Sequence, residues 1–409
     1  MKKSGRLEPK NIDQVTTMIL EAILLASSQK TFCVAGAIIN NKTGEVIHIE
    51  HNNVLKPLSS NRSFTYDPTA HGERQLVYWY FENRKRLNLP EPANLTIVTS
   101  LDPCAMCAGT IVTAGFNVGV VALDNFAGIN YDSSYAFDSF PSSLRKKAKA
   151  LFGYYSSARG PREYIRPYRG GANVALRDTK LTCCNLASCE AMFMKSLNEV
   201  RDASNNCGLP PQQMKNPASL PESSPITSAF REIYPNAFRI RTLDPRVPDE
   251  NIFEELKRVR SVAGNAENAV AYLDPFGNLV LCMADNFELS SVHTAFMELT
   301  RNYAIIRWNL MNQHETSDQA ELYLTHPKYG TFVFINAPDP TDSRTVMTLG
   351  AYGSTMEGPI PITYPPNLQY YYPPRKGTFE QLVSLIRKLP PFYSQFVQIS
   401  IMQVPGDWK

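Results

Sequence analysis

Long apolar runs are missing from this chain. None of its 409 residues belongs to a stretch approaching the roughly 18 apolar residues that a membrane-spanning helix needs. The N-terminus, MKKSGRLEPK, lacks the apolar core of a secretory signal, and Asp13, Gln14 and Glu21 interrupt the segment after it. We therefore expect a soluble, cytoplasmic protein that makes no membrane contact. Excess charge of one sign is also scarce: the net charge is +3, which by itself does not indicate a polyanionic partner. Histidine is rare, with six copies. Cysteine is better supplied, with eight, but without a secretory signal these do not suggest a disulfide framework. Metal ligands and buried thiols are the better expectation. Hydrophobic residues at 43% are enough to build more than one core in a chain of this length.

Periodicity supplies the elements. Ile12, Val15, Ile19, Ala22, Ile23 and Ala26 recur at three- and four-residue steps, predicting a helix to Ser28. Phe32 to Ile39 and Val46 to Ile49 flank a turn at 40–44, a hairpin pattern. A helix from near His71 to about Arg86 follows, then a strand at Leu95 to Ser100, a helix at Cys104 to Ala114 and a strand at Val118 to Leu123. This alternation predicts a three-layer α/β/α fold on a mixed sheet. The segment 204–228 carries five prolines among Ser, Asn and Gln, the composition of a linker. It divides the chain into 1–203, with a core at about 10–135 and a basic extension at 141–180, and 229–409.

The second half reads as a degenerate copy of the first. Val270 to Leu281 repeats the hairpin, with Gly277 in the place of Gly44. Ser291 to Ile306 reads as the next helix, and Glu321 to Pro327 echoes the strand running into Pro103. On that spacing Ala295 stands where Glu73 does and Lys328 where Cys104 does, so the second copy is expected to be metal-free. The Pro- and Tyr-rich tail, 358–376, reads as an extended arm packed on its own half.

Two short motifs carry chemistry. His71-Gly72-Glu73 and Pro103-Cys104-Ala105-Met106-Cys107 each fall where a loop or strand enters a helix. Unpaired N–H groups and the helix dipole favour thiolate there, and thiolate is the zinc-binding form. Cysteines three apart share a helical face, so both sulfurs can reach one ion. His71, Cys104 and Cys107 make three ligands, which leaves a tetrahedral position open for water, as catalytic zinc sites do. Glu73, two residues past His71, projects elsewhere and is free to move protons. Cys183, Cys184 and Cys189 have no nearby His and read as a buried thiol group. His293 and His326 read as structural histidines.

These residues resemble the cytidine deaminase-like superfamily, whose zinc deaminases share an H-x-E and P-C-x-x-C signature. The resemblance covers about 10–135. Asp67 to Glu73 (DPTAHGE) looks like the DPTAHAE of guanine deaminases and bacterial tRNA-adenosine deaminases, with Gly72 in place of Ala. His71-Gly72-Glu73 itself looks like fungal cytosine deaminase. Leu101 to Gly109 (LDPCAMCAG) is similar to the matching stretch of all three. Asn52-Asn53-Val54 looks like the family's N-x-V loop. The resemblance implies zinc, Glu73 as the catalytic acid and base, Asn52 (or Asn53) as a base contact, the Gly72 and Cys104 N–H groups lining the pocket, and Asp124 near substrate. It also implies hydrolytic removal of an amino group from a nucleobase, and a homodimer or an internal substitute for one.

The segment 141–180 bears on the substrate. It holds ten basic residues against two acidic ones, among them Arg145, Lys146, Lys147, Lys149, Arg159, Arg162, Arg166 and Arg169. Phe152, Tyr154, Tyr155, Tyr164 and Tyr168 are interleaved. Cations that track phosphates and rings that stack bases suit RNA or single-stranded DNA. A surface with its tyrosines turned inward is the plainer reading. It leaves a free base or nucleoside, guanine or cytosine, as the alternative substrate, which a faint likeness of 127–132 to guanine deaminases favours. A non-catalytic accessory or RNA-binding subunit fits the second half better than the first.

Overall fold

The computed structural model describes residues 8–60, 62–155, 164–165, 169–202, 208–356 and 367–408. The first half begins with α1 (Ile12–Ser28), the hairpin β1 (Ala35–Asn40) and β2 (Val46–His51), and the short pair β3 (Leu55–Pro57) and β4 (Ser63–Thr65). Next come α2 (Gly72–Leu87), β5 (Leu95–Leu101), α3 (Ala105–Ala114) and β6 (Asn117–Ala122). It closes with α4 (Ser142–Leu151), β7 (Phe152–Tyr154), the two-residue strands β8 (Tyr164–Ile165), β9 (Arg169–Gly170) and β10 (Leu181–Thr182), and α5 (Cys183–Asp202).

The expected pattern of the first half is present. All six periodic residues of α1 are buried, and Asn11 caps the helix by accepting the Gln14 N–H at 2.9 Å. Gly44 turns the hairpin at φ +75°, a conformation that costs a residue without Cβ little. Strand order is β2-β1-β5-β6-β7-β9. The pairs β2–β1 and β1–β5 are antiparallel, while β5–β6 and β6–β7 are parallel. Every residue of β5 and β6 is buried, as continuous apolar strands covered on both faces should be. Helices α1 and α5 cover one face, and α2 and α3 the other. This is the predicted three-layer mixed α/β fold.

The second half contains α6 (Pro225–Ile233), α7 (Glu250–Val262), the hairpin β11 (Ala269–Leu273) and β12 (Leu279–Ala284), and α8 (Ala295–Asn312). Then follow α9 (Ser317–Tyr323), β13 (Thr331–Asn336), α10 (Ser343–Met356), β14 (Leu368–Tyr372), α11 (Phe379–Arg387) and β15 (Ile401–Gln403). The strand order β12-β11-β13-β14-β15 repeats that of β2 to β7, with the same antiparallel and parallel senses. Gly277 again turns the hairpin, at φ +84°.

Several sequence expectations need correction. Glu321 to Pro327 is not the strand of the second half. Its first residues finish α9, and the strand is β13, whose TFVFIN run is buried up to its last residue. Lys328 therefore does not correspond to Cys104. Helix α8 starts at Ala295 with Thr294 as its cap, which aligns Thr294 with His71 and Phe296 with Glu73. In the 204–228 segment, residues 204–207 lie outside the described residues. The rest is no free coil: Lys215 N–H donates to Leu322 O at 2.8 Å, and Asn216 accepts from Asn278 at 2.8 Å. In the 358–376 tail, 358–366 lie outside the described residues, while Leu368, Tyr370 and Tyr371 are buried in β14, an internal strand. The thiol group is not a buried cluster, since Cys184 is exposed and only Cys189 of the three is buried.

The two halves meet through their helical layers. Helix α10 crosses α3 so closely that a Cβ on Gly109 would collide with the backbone of Met347, and one on Gly350 with the backbone of Met106. Met106-x-x-Gly109 and Met347-x-x-Gly350 thus pack reciprocally, and α10 stands in the place of α3. Thr345 and Thr348 then take the positions of Cys104 and Cys107. One hydrophobic core runs from the inner face of the first sheet through these helices into the second sheet. A separate core lies under α1 and α5.

Candidate metal centre and active site

The His71 side is built from a buried turn. Asp67 is sequestered, and its Oδ1 accepts the Thr69 N–H at 2.8 Å and the Thr69 hydroxyl at 2.7 Å. Arg74, in the first turns of α2, pairs with the other oxygen of Asp67. This clamp fixes the chain just before His71, which caps α2 in an extended conformation. Gly72 fits under the hairpin: a Cβ there would lie 3.3 Å from the Ala35 Cα. An alanine at this position is tight but close to ordinary contact.

The sulfur side comes from β5 running into α3. Cys104 caps α3 and Cys107 sits in its first turn. Asp102 anchors the approach by accepting the Asn130 N–H at 2.8 Å and the Tyr154 hydroxyl at 2.9 Å. Ile129 N–H donates to Pro103 O at 2.9 Å, which ties the 124–131 loop to the metal motif. Burial pushes the Asp102 carboxyl up to about 8. The Cys104 thiol is held well below the usual range, first by its hydrogen bond from Cys107 and then by the His71 imidazole, against burial. Burial pushes Cys107 up, so Cys104 is the first thiolate of the pair.

One nitrogen or sulfur from each of His71, Cys104 and Cys107 lies within 4.8 Å of the other two. No other such group of His, Cys or carboxylates occurs among the described residues. His71 Nδ1 is 3.5 Å from Cys104 Sγ. A tetrahedral zinc with ordinary Zn–N and Zn–S bonds gives that edge as about 3.6 Å, so the donors fit the ion without rearrangement. Glu73 is 2% exposed. Its Oε1 accepts the Thr99 hydroxyl of β5 at 2.9 Å, and its Oε2 has no partner among the described residues. Burial raises its carboxyl, with the nearby Cys104 adding to the effect. A carboxylate with one oxygen fixed and one unengaged is equipped to carry a proton.

The family comparison agrees with this geometry. Residues 9–123 match the model of the cytidine and deoxycytidylate deaminase zinc-binding region. The match covers less than half of the 409 residues, and over that stretch the chain is similar to this zinc-binding region. No curated protein matches the chain. Among solved structures, a tRNA:A34 deaminase from work on A-to-I editing at the wobble position is similar at 19% identity and TM-score 0.23, over 29% of this chain and 81% of that one. Guanine deaminase from Nitrosomonas europaea is similar at 14% identity and TM-score 0.30, over 47% and 89%.

The other residues expected at the site divide. Asn52 is buried, and its Oδ1 accepts the Thr31 hydroxyl at 2.6 Å and the Val54 N–H at 2.9 Å. Asn53 instead points at α2, donating to Gln75 at 3.2 Å. Asp124 accepts the N–H groups of Phe126 and Ala127 and so shapes its own loop. Of the basic segment, Arg159, Arg162 and Arg166 lie outside the described residues, as does Tyr168. Lys146, Lys147 and Lys149 are exposed on α4, while Arg145 pairs with Asp138 at 2.6 Å. Phe152, Tyr154 and Tyr155 are core residues and do not face solvent to stack on bases.

Sequence reading missed Thr99 and Asp102. Thr99 and Asp102 sit in the same strand-to-helix run as the cysteines, so alternation along β5 held a signal. In the second half, Thr294, Phe296, Thr345 and Thr348 all line one cavity of about 90 Å³. That convergence supports the correspondence of positions, with hydroxyls and a phenyl ring where the first half has His71, Cys104, Cys107 and Glu73. His293 is structural: its Nδ1 meets Ser290 at 2.7 Å and its ring packs on Tyr78. Among the described residues no helix is long and apolar enough to cross a membrane.

Proposed function

We propose that this chain is a zinc-dependent hydrolytic deaminase that converts the amino group of a nucleobase to a carbonyl and releases ammonia. The observation that carries the reading is the set of three donors at zinc spacing beside a buried carboxylate with one unengaged oxygen. His71, Cys104 and Cys107 would hold the metal, which supplies Lewis acidity toward water. Glu73 Oε2 would take one proton from water and pass it to the ring nitrogen, then take the proton of the added hydroxyl and pass it to the leaving amine, which departs as ammonia. Thr99 keeps the opposite oxygen still, so the carboxylate turns about one anchored end. Asn52 keeps its amide nitrogen for the base, since only its oxygen is engaged among the described residues. The second half, a degenerate deaminase-like unit, occupies the face that a dimer partner would cover.

A base presented within RNA or single-stranded DNA is a second reading, and the exposed Lys146, Lys147 and Lys149 on α4 favour it. The inward-turned aromatics favour the free base. Ammonia release by the zinc-loaded protein from guanine, cytosine, adenine, their nucleosides, total tRNA and single-stranded DNA separates the two, with Glu73→Ala as control. Turnover of one free base makes the lysines incidental. Turnover of polynucleotide alone assigns them to substrate. No turnover of any, with zinc bound, rejects the substrate class.

A further inference from the structure

The cavity of the second half keeps polar walls where its counterpart keeps reactive groups. Strand register fixes the correspondence. Ala269 pairs with Ala284 as Ala35 pairs with His51, and Val270 pairs with Phe334 as Gly36 pairs with Thr99. Phe334 therefore stands where Thr99 does. Asp285, the first residue after β12, stands where Asn52 follows β2. Phe296 and Phe334 stack with centroids 5.7 Å apart and ring planes 14° from parallel. Where the first half joins the Glu73 carboxylate to its hydroxyl anchor, the second half has a flat apolar wall.

Two polar atoms in this cavity are buried and idle. Thr294 is the cap of α8, yet its side chain makes no capping hydrogen bond, as a threonine at that position ordinarily does. Asp285 does the work instead. Its Oδ1 accepts the Ala295 N–H at 2.8 Å, and its Oδ2 accepts those of Glu267 and Asn268 at 3.0 and 2.7 Å. Thr294 is 7% exposed, and its hydroxyl has no partner among the described residues. Asn336 Oδ1, at the end of β13, is likewise buried without a partner. Both residues line the cavity. Buried polar atoms are rarely left so. A single water needs roughly 10 to 15 Å³. The cavity offers about 90 Å³, room for a larger guest.

Charge narrows what that guest is. Glu267, Asp285, Asp339 and Asp342 line the cavity against Arg344 and Arg375. Arg344 is already committed, to Asp342 at 2.7 Å and to Glu267 at 3.0 Å. A phosphate would meet an excess of negative charge there. A neutral ring bearing N–H donors would meet acceptors.

We propose that this cavity is a second ligand site, which takes a small, uncharged, planar amino-heterocycle of the adenine or cytosine type and leaves it unchanged. The ring lies against the wall of Phe296 and Phe334. Its amino group donates to Asn336 Oδ1, and the Thr294 hydroxyl donates to a ring nitrogen. With a phenyl ring in the place of Glu73 and hydroxyls in the places of the sulfurs, the site binds without converting. The inference uses the repeated fold and does not depend on zinc in the first half.

The test is hydrogen–deuterium exchange of the full chain with millimolar adenine or cytosine, with affinity read by equilibrium dialysis. At least one of the two bases should protect the amides of 285–298 and 336–348. Binding at the first half's site would protect 52–54, 71–73 and 104–107, so position tells the two apart. Thr294→Val keeps the shape and removes the hydroxyl, and affinity at the second site should fall about tenfold. Thr294→Ser keeps the hydroxyl and should bind as wild type does. Hypoxanthine and uracil, with a carbonyl in place of the amino group, should bind about tenfold more weakly or worse, as should AMP and CMP. No protection of 285–298 and 336–348 by either base would overturn the proposal and leave water as the occupant. Equal binding of the carbonyl analogues, or tighter binding of the nucleotides, would overturn the ligand class. Should Thr294→Val fail to fold, the analogue series on wild type decides alone.

Discussion

Glu73 has two oxygens in unlike surroundings, one accepting from Thr99 and one unengaged. Glu73→Gln keeps the volume and the Thr99 contact but cannot take up a proton. We expect turnover to fall by roughly 100- to 10,000-fold with zinc content by mass spectrometry unchanged. Cys107→Ser should do the reverse in kind: the metal is lost first, and activity with it. Equal zinc in that variant and wild type would remove Cys107 from the ligand set. At this scale the sequence was most legible where residues act on one ion. His71, Glu73, Cys104 and Cys107 stand in two short motifs, because helix geometry alone brings them onto two helix starts. Thr99 and Asp102 act through tertiary contacts, which carry no local pattern.

The crossing of α3 and α10 sets the next scale. Gly109 and Gly350 meet the facing backbone, so neither can gain a methyl without pushing the helices apart. Gly350→Ala should cost about 1–3 kcal/mol in chemical denaturation, and it should weaken zinc binding because Met106 adjoins Cys107. A variant with wild-type stability would show that the helices do not cross this tightly. Beside that crossing, α2 and α8 meet at Tyr78 and His293, whose centroids are 4.1 Å apart. Burial lowers His293 from 6.5 to about 4, with Arg301 and Arg74 adding to the effect. The neutral ring is thus favoured in the fold, and the unfolded chain takes up the extra proton between those values. Stability present above pH 6.5 should therefore be lost as pH falls toward 4, by up to about 3 kcal/mol. His293→Gln should flatten that slope by its share. The elements read in the first half lie within three residues of their observed ends, while β3, β4 and α4 were not read from the sequence. The misplaced strand of the second half shows the limit, since Glu321 to Leu324 is apolar enough for either state, and only the partners of β13 decide.

Across the whole molecule, the inner face of the first sheet and its helices share one core with the second half. Seam contacts such as Ser59 to Asn312 at 2.8 Å and Arg62 to Glu321 at 2.7 Å add specificity around its rim. A chain ended after residue 203 leaves α2 and α3 uncovered. It should be expressed mostly in aggregates, or bind a hydrophobic dye strongly where soluble, whereas the full chain should not. A soluble, dye-silent fragment would mean that the halves fold separately. The duplicated strand order was visible as two similar hairpins, but its purpose was not, because a helix-to-helix face leaves no periodicity beyond that of an ordinary buried helix.

The same reciprocal crossing has a consequence in time. Gly109 leaves the ribosome 238 residues before Met347, the residue it must touch. At about 5 to 20 residues per second, the helix that carries Cys107 waits roughly 10 to 50 s for its cover. During that interval the nascent first half presents a greasy, glycine-notched surface to every other chain being made nearby. That surface is covered only when translation is nearly complete, so slowing synthesis should lower the soluble yield.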